Sequence, residues 1–210
     1  MDKARILILA KNDQHHPLEE LAEMSVGWLK SAGFADVTMT NDRSVITESL
    51  GDYDLLILAM TLNKLSDAEE DELVNFVDSG KKLMAIHSAT VVDESNVKYI
   101  DMVGGRFVRH SPHHEFSVKI AHPGHPIMAG INDFKVTDEL YVLDRTPSAA
   151  SVLLTAFWEE KAQPILYLRA YGEGKVLYNA LGHGAEAYAN PNLEKLIVQG
   201  AKWLLKQSAS

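Results

Sequence analysis

The sequence contains no cysteine among its 210 residues. This absence excludes disulfide bonds, zinc sites built on thiolates, and any enzyme whose nucleophile is a cysteine. Internal repeats and low-complexity segments are absent too. The 46% hydrophobic and 23% charged residues are typical of a folded globular protein. We therefore predict one folded domain over residues 1–210.

Long apolar runs and basic clusters are also missing. The first apolar run, Arg5–Ala10, is too short for the core of a signal peptide, and no stretch is long enough to cross a bilayer. The formal net charge is −9, with no cluster of Lys and Arg, which argues against nucleic acid or an anionic membrane as a partner. We expect a cytoplasmic protein that binds a small molecule, and a homo-oligomer is compatible with the sequence.

Short apolar runs alternate with amphipathic helical patterns, which is typical of βαβ units and a mostly parallel sheet. The predicted strands are Arg5–Ala10, Asp36–Thr40, Asp54–Met60, Lys82–Ser88, Phe116–Ala121 and Leu140–Asp144. The predicted helices begin near Pro17, at the Ser66–Glu69 capping box and at Asn190–Pro191. In the C-terminal part we predict a β-hairpin whose turn is Gly172–Gly174.

Histidines follow three of the predicted strands. His15 and His16 come after the first strand, His87 ends the fourth, and His183 follows the strand Lys175–Leu181. The carboxyl ends of parallel strands share one edge of a sheet, and ligands bind in the crevice there. These imidazoles would then meet in one pocket, although a single loop histidine is more often a solvated or capping residue than a ligand.

The end of the fourth strand favours a neutral imidazole at His87. A residue at a sharp strand-to-helix turn points into the pocket, and the amino end of the following helix disfavours a cationic ring. Neutral imidazole is the form that binds a metal or accepts a proton. Ser88 beside it suggests a serine hydrolase, but the absence of a GxSxG elbow argues against that hypothesis.

The densest histidine segment is RHSPHHEF, Arg109–Phe116. Pro112 disfavours a helix, so His110 and His114 cannot use the i, i+4 spacing of helical zinc sites. An extended backbone would turn His114 inward, where it could be a core histidine. In the HPGHP turn, His122–Pro126, a structural role is favoured for both histidines.

Carboxylates also lie near these loops: Asp13, Glu115, Asp138, Glu139 and Glu186. Glu139 opens the strand pattern ELYVLD and could orient an imidazole, ligate a metal or act as an acid or base. It could equally be a solvated strand end.

An ordered set of motifs resembles the trehalose-utilisation (ThuA-type) proteins. The motifs are AIHSA, GGRFVRHSPHHEF, HPI, DELY and YGEGKVLYNALGH, and they cover nearly the whole chain. The resemblance implies an α/β, flavodoxin-like three-layer sandwich related to class I glutamine amidotransferases. It also implies a role in disaccharide breakdown, in company with dehydrogenases that make 3-keto sugars. In the amidotransferases the strand-to-helix elbow carries a cysteine, and a histidine with a nearby glutamate follows a late strand.

The resemblance also bears on individual positions. His87 occupies the elbow position, so hydrolysis of glutamine by a thiol is excluded, and His183 with Glu186 lies in the region of the late histidine. The pair His15–His16 replaces the single histidine of the first loop. The family pattern does not support His114, and we prefer this match to the alternation argument. It supports His87, His110, His113, Glu139 and His183.

From these observations we predict an enzyme of sugar catabolism with a histidine-rich pocket at the carboxyl edge of the sheet. The predicted ligands of a divalent metal, Zn²⁺ first, are His16, His87 and His183. The predicted catalytic groups are His87, His183 and Glu139. The predicted substrate-binding groups are His110, His113 and Ser88. Hydrolysis, elimination or isomerisation of a sugar would each suit such a site.

Two other functions are compatible with the sequence. One is a metal-free enzyme in which His87 or His183 acts as general base, and a chelator that leaves activity untouched would favour it. The other is a non-catalytic sugar-binding or regulatory protein. Ligand-induced thermal stabilisation with no product formed would favour that function.

Overall fold

The computed structural model describes residues 4–146 and 150–206. Its strands are β1 (Arg5–Ala10), β2 (Asp36–Thr40), β3 (Leu55–Ala59), β4 (Lys82–Ile86), β5 (Phe107–His110), β6 (His114–Ile120), β7 (Phe134–Asp138), β8 (Tyr141–Leu143), β9 (Ser151–Trp158), β10 (Lys161–Tyr171) and β11 (Gly174–Asn179). Its α-helices are α1 (Leu18–Ser31), α2 (Val45–Glu48), α3 (Asp67–Asp78), α4 (Val97–Val103), α5 (Ala185–Tyr188) and α6 (Pro191–Lys206). Short 3₁₀ turns are formed by Leu50–Asp52, His87–Thr90 and Pro126–Met128.

A nine-stranded sheet, in the order β2-β1-β3-β4-β11-β10-β9-β6-β7, runs through the molecule. The strands from β2 to β11 are parallel, in the order of a flavodoxin-like sheet. From β11 onward every pairing is antiparallel. The predicted α/β, flavodoxin-like class is confirmed, and the sheet is mixed because the C-terminal half adds this antiparallel extension. A separate two-stranded pair is formed by β5 and β8.

Helices cover both faces of the parallel half, as a sandwich of three layers requires. Every residue of β3 and β4 is buried, and such continuous aliphatic strands need cover on each side. Helices α1 and α6 pack together on one face, and α3 packs with α4 on the other. At Gly200 of α6, an added Cβ would come within 2.6 Å of the Leu177 side chain, so this helix lies directly on the sheet. Within the described residues, no helix combines the length and apolar character needed to cross a membrane.

Most predicted boundaries agree with the structure to within a residue or two. The Ser66–Glu69 capping box is present at the start of α3, and Tyr171 pairs with Gly174 across the predicted hairpin turn. The predicted strand Lys82–Ser88 is too long, because β4 ends at Ile86 and the backbone of His87 turns to a φ of 46°. The prediction of a single domain over residues 1–210 stays a prediction.

Candidate functional site

Four side chains from distant parts of the chain meet at the carboxyl edge of the parallel strands. His16 follows β1, His87 follows β4, His183 follows β11, and Glu139 lies between β7 and β8. Each offers one potential ligand atom, and these atoms all lie within 4.8 Å of one another. The structure thus brings together the three histidines predicted to bind metal, with Glu139 among them. We call these four residues the histidine–glutamate cluster; their roles stay predictions.

His16, and not His15, belongs to this cluster. The Asp13 carboxylate accepts hydrogen bonds from the backbone N–H and the Nδ1 of His16, both at 2.9 Å. A carboxylate only accepts, so Nδ1 carries the proton and Nε2 is free to face the cluster. Burial alone would raise the pKa of Asp13, but hydrogen bonds from Thr61, His16 and the His15 backbone lower it to about 2. His15 is exposed and contacts Gln14.

His87 is fully buried and neutral. Its Nδ1 donates to the carbonyl oxygen of Ala180 at 2.7 Å, which leaves the Nε2 lone pair facing the cluster. Nε2 has no hydrogen-bond partner among residues 4–146 and 150–206. Burial lowers the pKa of His87 to about 3. The predicted helix-terminus effect is wrong, because a single 3₁₀ turn follows β4 and α4 begins only at Val97.

Glu139 contacts three imidazoles. Its Oε2 lies 3.2 Å from Nδ1 of His183 and 3.8 Å from Nε2 of His87, while its Oε1 lies 3.5 Å from Nδ1 of His110. The contact with His183 is close, but its alignment is not that of a good hydrogen bond. Burial alone would raise the pKa of Glu139, but these histidines lower it, and the Glu139 carboxylate in turn raises the pKa of His183.

A cleft of about 740 Å³ opens above the cluster. One side is aromatic, with Phe107 and Tyr141 in contact at a ring separation of 4.4 Å. The other side is polar. It is lined by Asp13, Gln14, His15, Thr61 and Asn63. A cavity of this size, with an apolar wall and several polar groups, is typical of small-molecule sites.

The sequence model of the trehalose-utilisation (ThuA) family matches residues 5–204. This chain belongs to the ThuA family. Its fold resembles that of a ThuA-like protein from Bacteroides uniformis, with 20% identity, a TM-score of 0.79, and coverage of 100% of this chain and 95% of that one. A ThuA-like protein from Parabacteroides merdae gives 17% identity and a TM-score of 0.81, with coverage of 98% and 91%.

A cytoplasmic protein from Salmonella typhimurium shares the fold at 13% identity, with a TM-score of 0.64 and coverage of 95% and 98%. No curated protein sequence matches the chain. At these identities the three solved structures show a common fold and do not carry an activity to this ThuA-family member.

Asp138 organises the site in this ThuA-family chain, although no role was predicted for it. Its fully buried carboxylate accepts backbone N–H bonds from Gly182 at 2.8 Å, His183 at 3.2 Å and Glu139 at 2.8 Å. Burial raises the pKa of Asp138 to about 7. The residue therefore ties the loop of His183 to the segment of Glu139. Nothing in the local sequence distinguishes this buried carboxylate from the exposed ones nearby.

The RHSPHHEF segment of the ThuA-family chain divides between the cleft and the surface. His110 lines the cleft near Phe107, and the exposed His113 has its ring 5.3 Å from that of His183. His114 is exposed at the start of β6 and contacts the carbonyl oxygen of Pro112 through Nδ1. The alternation argument that turned His114 inward is therefore wrong.

The remaining predicted residues do not line the cleft. Ser88 is fully buried and, like His87 and His183, is not among the cleft-lining residues, so its contact with a substrate stays a prediction. Glu186 lies in the first turn of the short helix α5, and its charge contributes to the raised pKa of His183. His125 accepts a hydrogen bond from the Ile127 N–H and packs on Trp203, in agreement with its predicted structural role.

Sequence reasoning missed Tyr141, whose ring lies 4.0 Å from that of His87. The residue was visible in the DELY motif, but an apolar strand pattern gave no reason to separate it from core tyrosines.

Proposed function

We propose that this chain is a metal-assisted enzyme of carbohydrate breakdown, in which His16, His87 and His183 hold a divalent cation and Glu139 acts as the acid–base group. One observation carries the proposal. The four residues reach the same point from four separate loops, with potential ligand atoms within 4.8 Å of one another. Surface histidines seldom converge in this way, and the rings of His16 and His87 are held by neighbours that leave a nitrogen of each facing inward.

The donor set fits a cation such as Zn²⁺. Imidazole nitrogens with a carboxylate are preferred ligands of this ion, and three protein ligands leave a position open for substrate. His16 has the orienting carboxylate that metal-bound histidines usually have, in Asp13, and His87 has the carbonyl oxygen of Ala180. The unpaired Nε2 of His87 is a further sign, because a buried nitrogen without a partner is costly unless a ligand engages it.

The chemistry divides between the cation and the side chains. A divalent ion at this point would polarise a carbonyl or hydroxyl oxygen of a sugar. Glu139 is the carboxylate placed to take a proton from the substrate or to return one, and the neighbouring imidazoles favour its charged form. His110 and His113 stand at the outer side of this group and are proposed to contact the sugar.

The cleft supports a sugar as the substrate. The partly exposed ring of Phe107 can lie against the apolar C–H face of a pyranose, and the polar wall can bond its hydroxyls. Family membership supports the same class, since trehalose utilisation gives the family its description. We propose a disaccharide or its 3-keto derivative, cleaved or isomerised in the cytoplasm.

Metal analysis of protein purified without an affinity tag tests the proposal. We expect about one divalent ion per chain in the wild type, and loss of most of it in His87→Ala and in His183→Ala. His122→Ala is the matched control, because it removes an exposed histidine from the HPGHP turn. Trehalose and 3-keto-trehalose serve as probe substrates, with products followed by mass spectrometry. Metal content and turnover that survive the loss of His87 would refute the assignment.

A metal-free acid–base enzyme is the second candidate, favoured by the close Glu139–His183 pair at 3.2 Å. In that case the neighbouring carboxylate keeps a proton on His183 for delivery to a leaving group. Turnover that is unchanged after dialysis against a chelator would select this candidate over the first. Loss of turnover on dialysis, with recovery when Zn²⁺ is returned, would select the metal-assisted enzyme.

A further inference from the structure

Tyr141 is buried beneath the aromatic wall of the cleft, and its hydroxyl reaches the cluster. The side chain is 2% exposed, yet it contributes to the cleft lining. Its ring contacts the rings of His87, with centroids 4.0 Å apart, and of Phe107, with centroids 4.4 Å apart. An almost fully buried ring with two such contacts has little freedom, so the position of the hydroxyl is set by the fold.

The hydroxyl of Tyr141 lies 3.4 Å from Nε2 of His16. Because Asp13 fixes the proton of His16 on Nδ1, Nε2 is an acceptor and the tyrosine is the donor. The separation is long for an O–H···N bond, and no other hydrogen bond of this hydroxyl occurs within the described part of the chain.

The same nitrogen is the one that His16 would give to a cation. A lone pair engaged by a metal no longer accepts a hydrogen bond, so the tyrosine hydroxyl would need another acceptor. Tyr141 lines the cleft, which has room for a new oxygen atom. A buried donor without an acceptor is unfavourable, which makes a substrate oxygen at this point a strong partner.

We propose that Tyr141 is a substrate-binding residue whose hydroxyl donates a hydrogen bond to the sugar oxygen placed beside the cation. This inference rests on the proposed function, since it requires a cation on Nε2 of His16. It assigns to the aromatic wall a polar contact as well as a stacking surface. It also implies that the substrate presents an oxygen with a free lone pair on that side of the site.

Tyr141→Phe tests the proposal, because phenylalanine keeps the ring and its packing. The protein is loaded with Co²⁺, and its visible absorption is titrated with acetohydroxamate, a small ligand with two oxygen donors. We expect roughly 10-fold weaker acetohydroxamate binding in Tyr141→Phe, with Co²⁺ affinity and unfolding temperature close to those of the wild type. Tyr171→Phe is the control. It makes the same deletion at the hairpin on the opposite edge of the sheet.

Each outcome has a separate meaning. Acetohydroxamate affinity that is unchanged in Tyr141→Phe, with Co²⁺ bound, overturns the role of the tyrosine and leaves the proposed function in place. Loss of Co²⁺ from Tyr141→Phe also overturns it, since the hydroxyl would then support the metal and not the ligand. A wild type that binds no Co²⁺ overturns the proposed function itself, and this inference with it.

Discussion

The histidine–glutamate cluster and the HPGHP turn both bring imidazoles close together, and only the cluster has the features of a site. In the HPGHP turn, His122 and His125 have ring centroids 5.8 Å apart, about as close as His87 and His183 at 5.6 Å. Proximity of imidazoles is therefore shared by both regions. The difference lies in what surrounds the rings.

The imidazoles of the cluster are buried or half-buried and lie beside a carboxylate, and two of them have partners that orient them. The two imidazoles of the turn do not combine these features. His122 is exposed. His125 caps a backbone N–H and packs against Trp203. In the cluster, Asp13 and Ala180 hold two rings so that a nitrogen points inward, and Glu139 supplies negative charge. Histidine content alone thus says little, and the supporting groups decide whether imidazoles can act together.

The largest effect on the cluster is expected from the removal of Asp138, which would make the cluster more like the turn. In Asp138→Ala three backbone N–H groups lose their acceptor, so we expect the free energy of unfolding to fall by about 3 kcal/mol or more. The loops of His183 and Glu139 would no longer be tied together, and metal affinity should fall about 10- to 100-fold. Urea denaturation and Co²⁺ titration measure the two effects.

Asp133→Ala provides the comparison for that variant. Asp133 is exposed and accepts one backbone N–H, from Ile120, near the HPGHP turn. We expect a loss of roughly 1 kcal/mol and no change in metal affinity. Equal effects of the two variants on metal affinity would contradict the view that Asp138 organises the cluster.

A variant of Asp13 tests whether the orientation of the His16 ring matters, because it removes none of the predicted metal ligands. Asp13→Asn keeps the size of the side chain but weakens its hold on the Nδ1 of His16, so we expect metal affinity to fall about 10-fold. Asp42→Asn is the control, because Asp42 is an exposed acceptor of the Ser44 N–H at a similar turn. Isothermal titration with Zn²⁺ gives the affinities. Wild-type affinity in Asp13→Asn would mean that His16 needs no orienting partner.

The sequence predicted the edge of the sheet where the cluster lies, because strand-end histidines follow from the alternation of strands and helices. The order of the parallel strands then brought His16, His87 and His183 together as expected. The hairpin of β10 and β11 was predicted, but the antiparallel pairing of β9, β6 and β7 beyond it was not, since the alternating patterns of these three strands do not reveal their partners. Strand pairing depends on contacts that are distant in sequence.

The residues that support the cluster could not be predicted from the sequence either. The burial of Asp138 and the contact between Tyr141 and His16 depend on how β7 and β8 approach the loops of β1 and β11. A neutral His87 was expected from a helix terminus, whereas in the structure burial is the main cause that lowers its pKa. The prediction for His114 was wrong because this residue is the first of β6 and follows an irregular loop, where side chains do not yet alternate strictly between the two faces.

The smallest expected effect concerns the turn. Burial, and then the charge of His122, lower the pKa of His125 below its ordinary value of 6.5. The unfolded chain therefore binds a proton more readily as pH falls through about 6.5, and the free energy of unfolding decreases from that pH downward. His125→Asn removes the titration while keeping a side chain that can cap the Ile127 N–H. We expect its stability to fall slightly less than that of the wild type between pH 7 and pH 5 in urea denaturation, with metal content unchanged. A larger fall than in the wild type, or loss of metal, would show that the turn is more than a structural cap.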